Sequence, residues 1–269
     1  MINLRRKSLT RILLLLLALG LTACQPQDAV AIVEEVLAPP SAQTPFPPRA
    51  RPTDSARRSS PVTASPSPTP GKRVKNTPGD FDFYILTLSW SPDYCAGSNV
   101  NDPQQCSLGK QLAFVLHGLW PQYTRGYPAD CSTAKLPKDA QQRFPNLYPS
   151  PKLYSHEWDK HGTCSGLKPD EYLALSKTLK ESVMIPQAYR SPAKAFRTTS
   201  DDLKAAFVKA NSAMSEEALV VHCSGSGRFL KELYVCFSRE GQPVACSQEI
   251  QKDAADSCRN AGFLVRNVK

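Results

Sequence analysis

Between residues 80 and 269 the chain carries Cys95, Cys106, Cys131, Cys164, Cys223, Cys236, Cys246 and Cys258. Nothing else in the sequence restricts the fold as strongly. An even set of cysteines in a stretch this short predicts a disulfide framework, provided the chain leaves the reducing cytosol. Sequence alone leaves about a hundred pairings open. Each closed bridge is expected to contribute ~2–4 kcal/mol. The competing use is a zinc site, but this stretch contains no Cys-x-x-Cys pair, so no metal is expected.

The N-terminus supplies the missing condition. Arg5, Arg6, Lys7 and Arg11 precede an apolar run from Ile12 to Leu19, followed by Leu21-Thr22-Ala23-Cys24. A basic start, a short apolar core and small residues make an export signal over 1–23. The run falls short of the ~20 residues that span a bilayer, so a transmembrane anchor is the weaker reading. Leu-Thr-Ala-Cys resembles a bacterial lipobox, which implies lipidation of Cys24; an ordinary signal peptide is the alternative. Gln25 after the cysteine favours the outer membrane by the same resemblance. The expected location is exported and lipid-anchored, in the periplasm or outer membrane, or alternatively secreted.

Residues 24–79 read as a tether. Pro39, Pro40, Pro45, Pro47, Pro48 and Pro52, with further prolines to Pro78, alternate with Ser, Thr, Ala and Arg. Proline removes backbone donors and few large apolar residues are available to bury, so a disordered, partly polyproline spacer is expected. A short helix over 30–37 is the only element expected within it. The tail also holds most of the charge. Of the net +9, residues 1–80 hold eleven Lys/Arg against five Asp/Glu, leaving twenty-two against nineteen beyond. The basic balance therefore does not mark the folded part as a polyanion binder.

Residues 80–269 suffice for one domain with one sizeable core, expected as a monomer. Phe81–Trp90 reads as a strand, and Ala113–His117 as a short buried strand stopped by Gly118 and Pro121. Leu136–Phe144, Leu153–His161, Asp170–Met184 and Thr199–Met214 read as helices. Ala218–Cys223, Phe229–Arg239 and Val244–Ser247 read as strands. Strands, then helices, then strands favour α+β over alternating βαβ units.

Two stretches carry chemistry. In His156-Glu157-Trp158-Asp159-Lys160-His161-Gly162-Thr163-Cys164, a helix running up to Gly162 puts Glu157 and His161 on one face and His156 and Lys160 on the adjacent row. Gly162 reads as a left-handed stop. The helix end would gather proton donors, an acceptor and positive charge, which suits a phosphate. In His117-Gly118-Leu119-Trp120-Pro121-Gln122, a histidine at a strand end stands beside an aromatic ring. The plainer readings are a satisfied core histidine at His117 or His222, core packing for Trp120 and Trp158, and a solvated Glu157–Lys160 pair. A zincin helix fails on spacing: histidines five apart lie roughly 140° apart around the axis. A Cys164 nucleophile is disfavoured by the oxidising compartment.

Both stretches resemble the two active-site segments of the ribonuclease T2 family, in the family's order. Leu86-Thr87-Leu88-Ser89-Trp90-Ser91-Pro92-Asp93-Tyr94-Cys95 resembles its first strand and first cysteine. The resemblance covers most of 80–269 and excludes the signal and tether. It implies an α+β fold with an antiparallel central sheet packed with helices and stapled by disulfides. It also implies the pairs Cys131–Cys164, Cys223–Cys258, Cys236–Cys246 and, by remainder, Cys95–Cys106.

The implied activity is a metal-independent endoribonuclease acting on single-stranded RNA. His161 takes the 2′-hydroxyl proton, that oxygen attacks the adjacent phosphorus, and His117 protonates the departing 5′-oxygen, leaving a 2′,3′-cyclic phosphate. Histidine suits both tasks because its usual pKa near ~6.5 allows either form at working pH. Lys160 and His156 would hold the phosphate, Glu157 would orient the cluster, and Trp120 would stack on a base. Gln122 stands where some members carry an Asp base contact, which points to low base specificity. No cofactor is expected. Two other readings stay open: a catalytically silent RNA-binding protein of the same fold, whose signature would be a lost histidine, and a metal-dependent phosphodiesterase, which a chelator would stop.

Overall fold

A computed structural model describes residues 76–97, 100–259 and 262–269. The expected signal peptide, Cys24, the 30–37 helix and all but residues 76–79 of the expected tether lie outside the described residues. Among the described residues no helix is long and apolar enough to cross a membrane.

The sheet is built around strand β1, Phe83–Trp90. Its alternation serves two faces. Tyr84, Leu86, Leu88 and Trp90 enter the main core, while Phe83 and Ile85 join a smaller cluster on the opposite side. β1 pairs antiparallel with β2, Phe114–Gln122, on one side and with β5, Phe229–Phe237, on the other. The short strands β3, Phe196–Thr198, and β6, Phe263–Val265, extend the sheet, and β4, Leu219–Ser224, pairs with β5. Among the described residues the order is β2-β1-β5-β6-β3 in a six-stranded sheet. It is antiparallel except where β5 meets β6 at Phe229 and Leu264.

Two single-turn helices follow β1: α1, Ser91–Tyr94, and α2, Pro103–Cys106; a third, α3, is Ala140–Arg143. Three longer helices then supply the main core: α4, Pro151–Lys160, with Tyr154 and Trp158; α5, Pro169–Ser182, with Tyr172, Leu173 and Leu179; and α6, Ser200–Ala210, with Leu203 and Phe207. Burying a side chain of this kind is worth ~1.5–3 kcal/mol. On the other face, α7, Gln248–Cys258, packs Ala254 and Ile250 against Phe83, Ile85 and Val220. Four disulfides join Cys95–Cys106, Cys131–Cys164, Cys223–Cys258 and Cys236–Cys246, the pairs implied by the resemblance.

Several elements differ from expectation for local reasons. β2 does not stop at Gly118 but runs through Pro121 to Gln122. It is an edge strand, where a proline's missing donor costs no ladder bond. Helix structure in 136–144 shrinks to the single turn of α3. Pro243 makes an isolated bridge to Phe237, and the chain beyond it then enters α7 without forming a strand. Ser247 caps α7 by accepting the Ile250 N–H. Gly162 is not a left-handed stop. It opens a 3-10 turn, Gly162–Cys164, and a Cβ there would meet Trp158 at 2.5 Å and Tyr172 at 2.9 Å.

Candidate active site

The site begins with an irregularity in β2. Thr87 of β1 faces Gly118, but Leu88 faces Leu116, so His117 is the unpaired residue of a β-bulge. Strict alternation from Leu119 would turn His117 into the main core. The extra residue turns it instead to the face of Trp120, which is how bulges re-aim side chains. His117 Nδ1 lies 2.8 Å from Glu232 Oε1 of β5, and its Nε2 lies 3.8 Å from Glu157 Oε1 of α4. Its side chain is 33% exposed.

α4 is anchored from behind. Trp158 is buried and its indole donates to the Ala134 carbonyl at 2.8 Å. That fixes the neighbouring row, Glu157 and His161, toward the β2 edge. Glu157 is fully buried, and its Oε2 accepts the Trp120 indole N–H at 2.7 Å. His156, one residue earlier, is exposed, with Nε2 at 3.9 Å from Glu157 Oε1. His161 ends the helix, its N–H bonded to the Glu157 carbonyl at 3.0 Å. Its ring stacks on Trp120 at 5.1 Å and 26°. His161 Nδ1 is buried with no hydrogen-bond partner in the protein. The helix end is stitched to the loop before it: Asp130 N–H donates to the Lys160 carbonyl, Cys131 N–H to Thr163 Oγ1, and Cys131 is bridged to Cys164.

The two histidines sit in opposite electrostatic settings. Burial lowers the His161 pKa, helped by Lys160, His156 and His117, to about 3. Burial also pushes against charge on His117. The hydrogen bond and charge of Glu232, with Glu157, more than offset it and leave His117 raised above the usual 6.5. Burial raises Glu157 to about 7 despite His117, the Trp120 hydrogen bond and Lys160. Glu232 is buried too, yet His117, Lys231 and Ser89 hold it down to about 2. At neutral pH one imidazole thus favours the neutral form, and the other has its protonated form supported.

Two cavities meet at His117. One, of about 360 Å³, is lined by His117, Trp120, Gln122, His156, Glu157, Lys160 and His161, and on its far side by Tyr127, His222 and Tyr234. The other, of about 420 Å³, is lined by His117, Glu232, Tyr94, Gln105, Ser150 and Lys231. All seven residues expected from the sequence at a binding or catalytic site therefore border one cavity. Gln122 is buried and its amide donates to the Pro121 carbonyl at 3.0 Å. Trp120 has one face covered by His161, so it walls the site as well as lining it. Glu232, Tyr127 and Tyr234 were not anticipated. His222 is, from the sequence, a plain core histidine. It lines the same cavity, 4.2 Å from the Tyr234 ring, with a buried Nε2 that has no protein partner. Among the described residues no group of three or more His, Cys, Asp or Glu forms a metal-ligand set.

The structure thus defines a class: a disulfide-stapled α+β domain with a two-histidine cleft at its sheet edge. Residues 81–246 match the sequence model of the Ribonuclease T2 family. A ribonuclease of Aeromonas hydrophila is 40% identical over 208 residues, covering 73% of this chain and 91% of that protein. Ribonuclease I of Escherichia coli is 25% identical over 226 residues, covering 67% and 84%. The chain belongs to the ribonuclease T2 family. Among solved structures, an RNase-related protein from Calystegia sepium superposes with a TM-score of 0.54 at 21% identity, over 70% of this chain and 97% of that one. An RNase MC1 variant in complex with 5′-UMP gives 0.53 at 21% identity, over 65% and 95%. These two likenesses speak for the fold.

Proposed function

We propose that the chain is an endoribonuclease that cleaves single-stranded RNA by transesterification, with low base specificity and without a metal. His161 takes the 2′-hydroxyl proton. The freed oxygen attacks the adjacent phosphorus, the bond to the 5′-oxygen breaks, and His117 gives that oxygen the proton on Nε2. Products are a 2′,3′-cyclic phosphate and a free 5′-hydroxyl. Lys160 and His156 hold the phosphate oxygens as charge builds on them. Glu157 holds Trp120, and Trp120 holds the His161 ring. Each proton transfer of this kind is typically worth ~10²–10⁴-fold.

The observation that carries this reading is the placing of two imidazoles on either side of Trp120, each ring 5.1 Å from it, with His117 bonded to the Glu232 carboxylate and His161 Nδ1 buried without a protein partner. A base must start neutral and an acid must start charged. The cavities meeting at His117 offer room for the nucleotide on each side of the phosphate. Family membership supports RNA as substrate. The nucleophile belongs to the substrate, so no metal is needed to generate one, and DNA lacks it. The Gln122 amide is engaged by its own chain, which supports weak base preference.

The test is cleavage of a short single-stranded RNA by the oxidised mature protein in excess chelator, with product ends identified by mass. The expected result is a 2′,3′-cyclic phosphate with the matching DNA intact. Loss of cleavage on chelation, or binding without cleavage between roughly pH 4 and 8 at histidine-compatible conditions, overturns the reading.

We also propose that the protein works outside the cytosol as a monomer, with 1–23 removed, Cys24 lipidated and the proline-rich segment to residue 79 as spacer. Four bridges support an oxidising compartment. Labelled palmitate should mark the wild type and not Cys24→Ser; equal labelling removes the anchor.

A further inference from the structure

We infer that Glu232 is a positioning residue for His117, holding its ring so that Nε2 faces the cleft and keeping its proton on. This rests on His117 being the general acid.

A carboxylate sits out of place within β5. Glu232 lies between Leu230 and Leu233, both fully buried, and is itself only 5% exposed. Burying a charge there is costly unless it is paired and hydrogen-bonded. The site supplies those partners. His117 Nδ1 lies 2.8 Å and Ser89 Oγ 2.9 Å from Oε1, and Lys231 Nζ and the Tyr234 hydroxyl each lie 3.5 Å from Oε2.

The topology makes the contact specific. β2 and β5 are not neighbours; β1 runs between them. Adjacent strands stand about 4.8 Å apart, so the His117–Glu232 bond spans roughly two such spacings. The residue beneath the bridge is Ser89, directly opposite Glu232 in register. Its side chain is small enough to pass under and donates to the same oxygen. A bulged histidine, a short residue on the middle strand and a buried carboxylate on the third strand together make the contact.

The chemistry follows. With Nδ1–H donating to Glu232, the tautomer and ring orientation are set and Nε2 is left for the substrate. The charged groups facing His117 are Glu232 and Lys231 from β5 and Glu157 from α4; the depressed His161 completes the set across Trp120. Glu232 is the one in hydrogen-bond contact. Its negative charge favours the imidazolium, the form a general acid needs at the start of the step.

Glu232→Gln separates charge from geometry. The amide oxygen still accepts from His117 and Ser89, while the amide nitrogen meets the Tyr234 hydroxyl. The rate defect should grow with pH, from about threefold at the acid end to tenfold or more above neutrality, because the variant loses the imidazolium earlier. The His117 ring resonances should titrate at lower pH in Glu232→Gln than in the wild type. A ribonucleoside 3′-(4-nitrophenyl phosphate), whose leaving group departs without a proton, should largely erase the defect. Melting curves of both proteins exclude misfolding. An unchanged pH profile and unchanged His117 titration in Glu232→Gln overturn the inference while leaving the parent reading intact. Full activity of His117→Ala on RNA overturns the parent reading, and this inference with it.

Discussion

Gly118 and Glu157 stand in a contact that only glycine permits: a Cβ on Gly118 would lie 2.0 Å from Glu157 Oε2 and 2.2 Å from Trp120 Nε1. The missing side chain is the space in which the indole–carboxylate bond forms. Gly118→Ala should break that bond, release Trp120 from Glu157 and loosen the His161 ring stacked on it. Cleavage is expected to fall ~10²-fold, with a stability loss of ~1–3 kcal/mol from overpacking. Steady-state kinetics with urea melts check both, and near-normal turnover would show that the Trp120–Glu157 bond is dispensable.

Glu157 should make stability depend on pH. Its folded pKa is raised to about 7 from the usual 4.5. A raised acid contributes its stability in full below the unfolded value and loses it as pH rises through the folded value. Glu157→Gln does not titrate and keeps an acceptor for Trp120. The variant should therefore gain on the wild type by on the order of 3 kcal/mol between roughly pH 4 and 8. Parallel urea midpoints across that range would show instead that Glu157 ionises as an ordinary carboxylate.

On the proposed mechanism the acid side of the rate profile belongs to His161. A base works only unprotonated, and its pKa is lowered to about 3, so cleavage should persist well below the usual imidazole range. Lys160 is one of the charges holding it down. Lys160→Met should move the acid limb of kcat/KM to higher pH and reduce the rate ~10²-fold through lost phosphate stabilisation. A rate loss with no movement of the limb would confine Lys160 to binding.

The bridges should not be equivalent. Cys131–Cys164 ends three residues beyond His161, and Cys95–Cys106 joins α1 to α2 away from that ring. Replacing either pair by alanines should cost ~2–4 kcal/mol. Only loss of Cys131–Cys164 should reduce kcat beyond what unfolding explains, measured well below each variant's melting temperature. Equal kcat losses would mean that the bridge does not position the helix end.

What the sequence disclosed and what it hid divide along physical lines. His117, Trp120, Glu157, Lys160 and His161 sit in two contiguous stretches with telling residue types, so they were legible, as was the helical spacing that joins Glu157 to His161. Glu232 was not. One glutamate in Phe229–Phe237 reads as the wet side of a strand, and its role depends on a neighbour two strands away. His222 was hidden for the same reason, since Tyr234 reaches it only across the β4–β5 pair. The continuation of β2 past Gly118 and Pro121 was lost to local turn signals that an edge position overrides. α7 was missed because its inward stripe, the partly buried Ile250 with buried Ala254 and Cys258, is short and mostly small, although spaced four apart.

The irregular β2 also bears on how copies of this chain meet. An outer strand with a regular ladder is a template on which another molecule can dock edge to edge, the first step toward aggregation. Here His117 interrupts the ladder and Pro121 removes one of its donors within five residues. A strand arriving from a second molecule would find no continuous run of groups to pair with. The kink that turns an imidazole toward the cleft thus leaves this edge of the sheet a poor partner for its own kind.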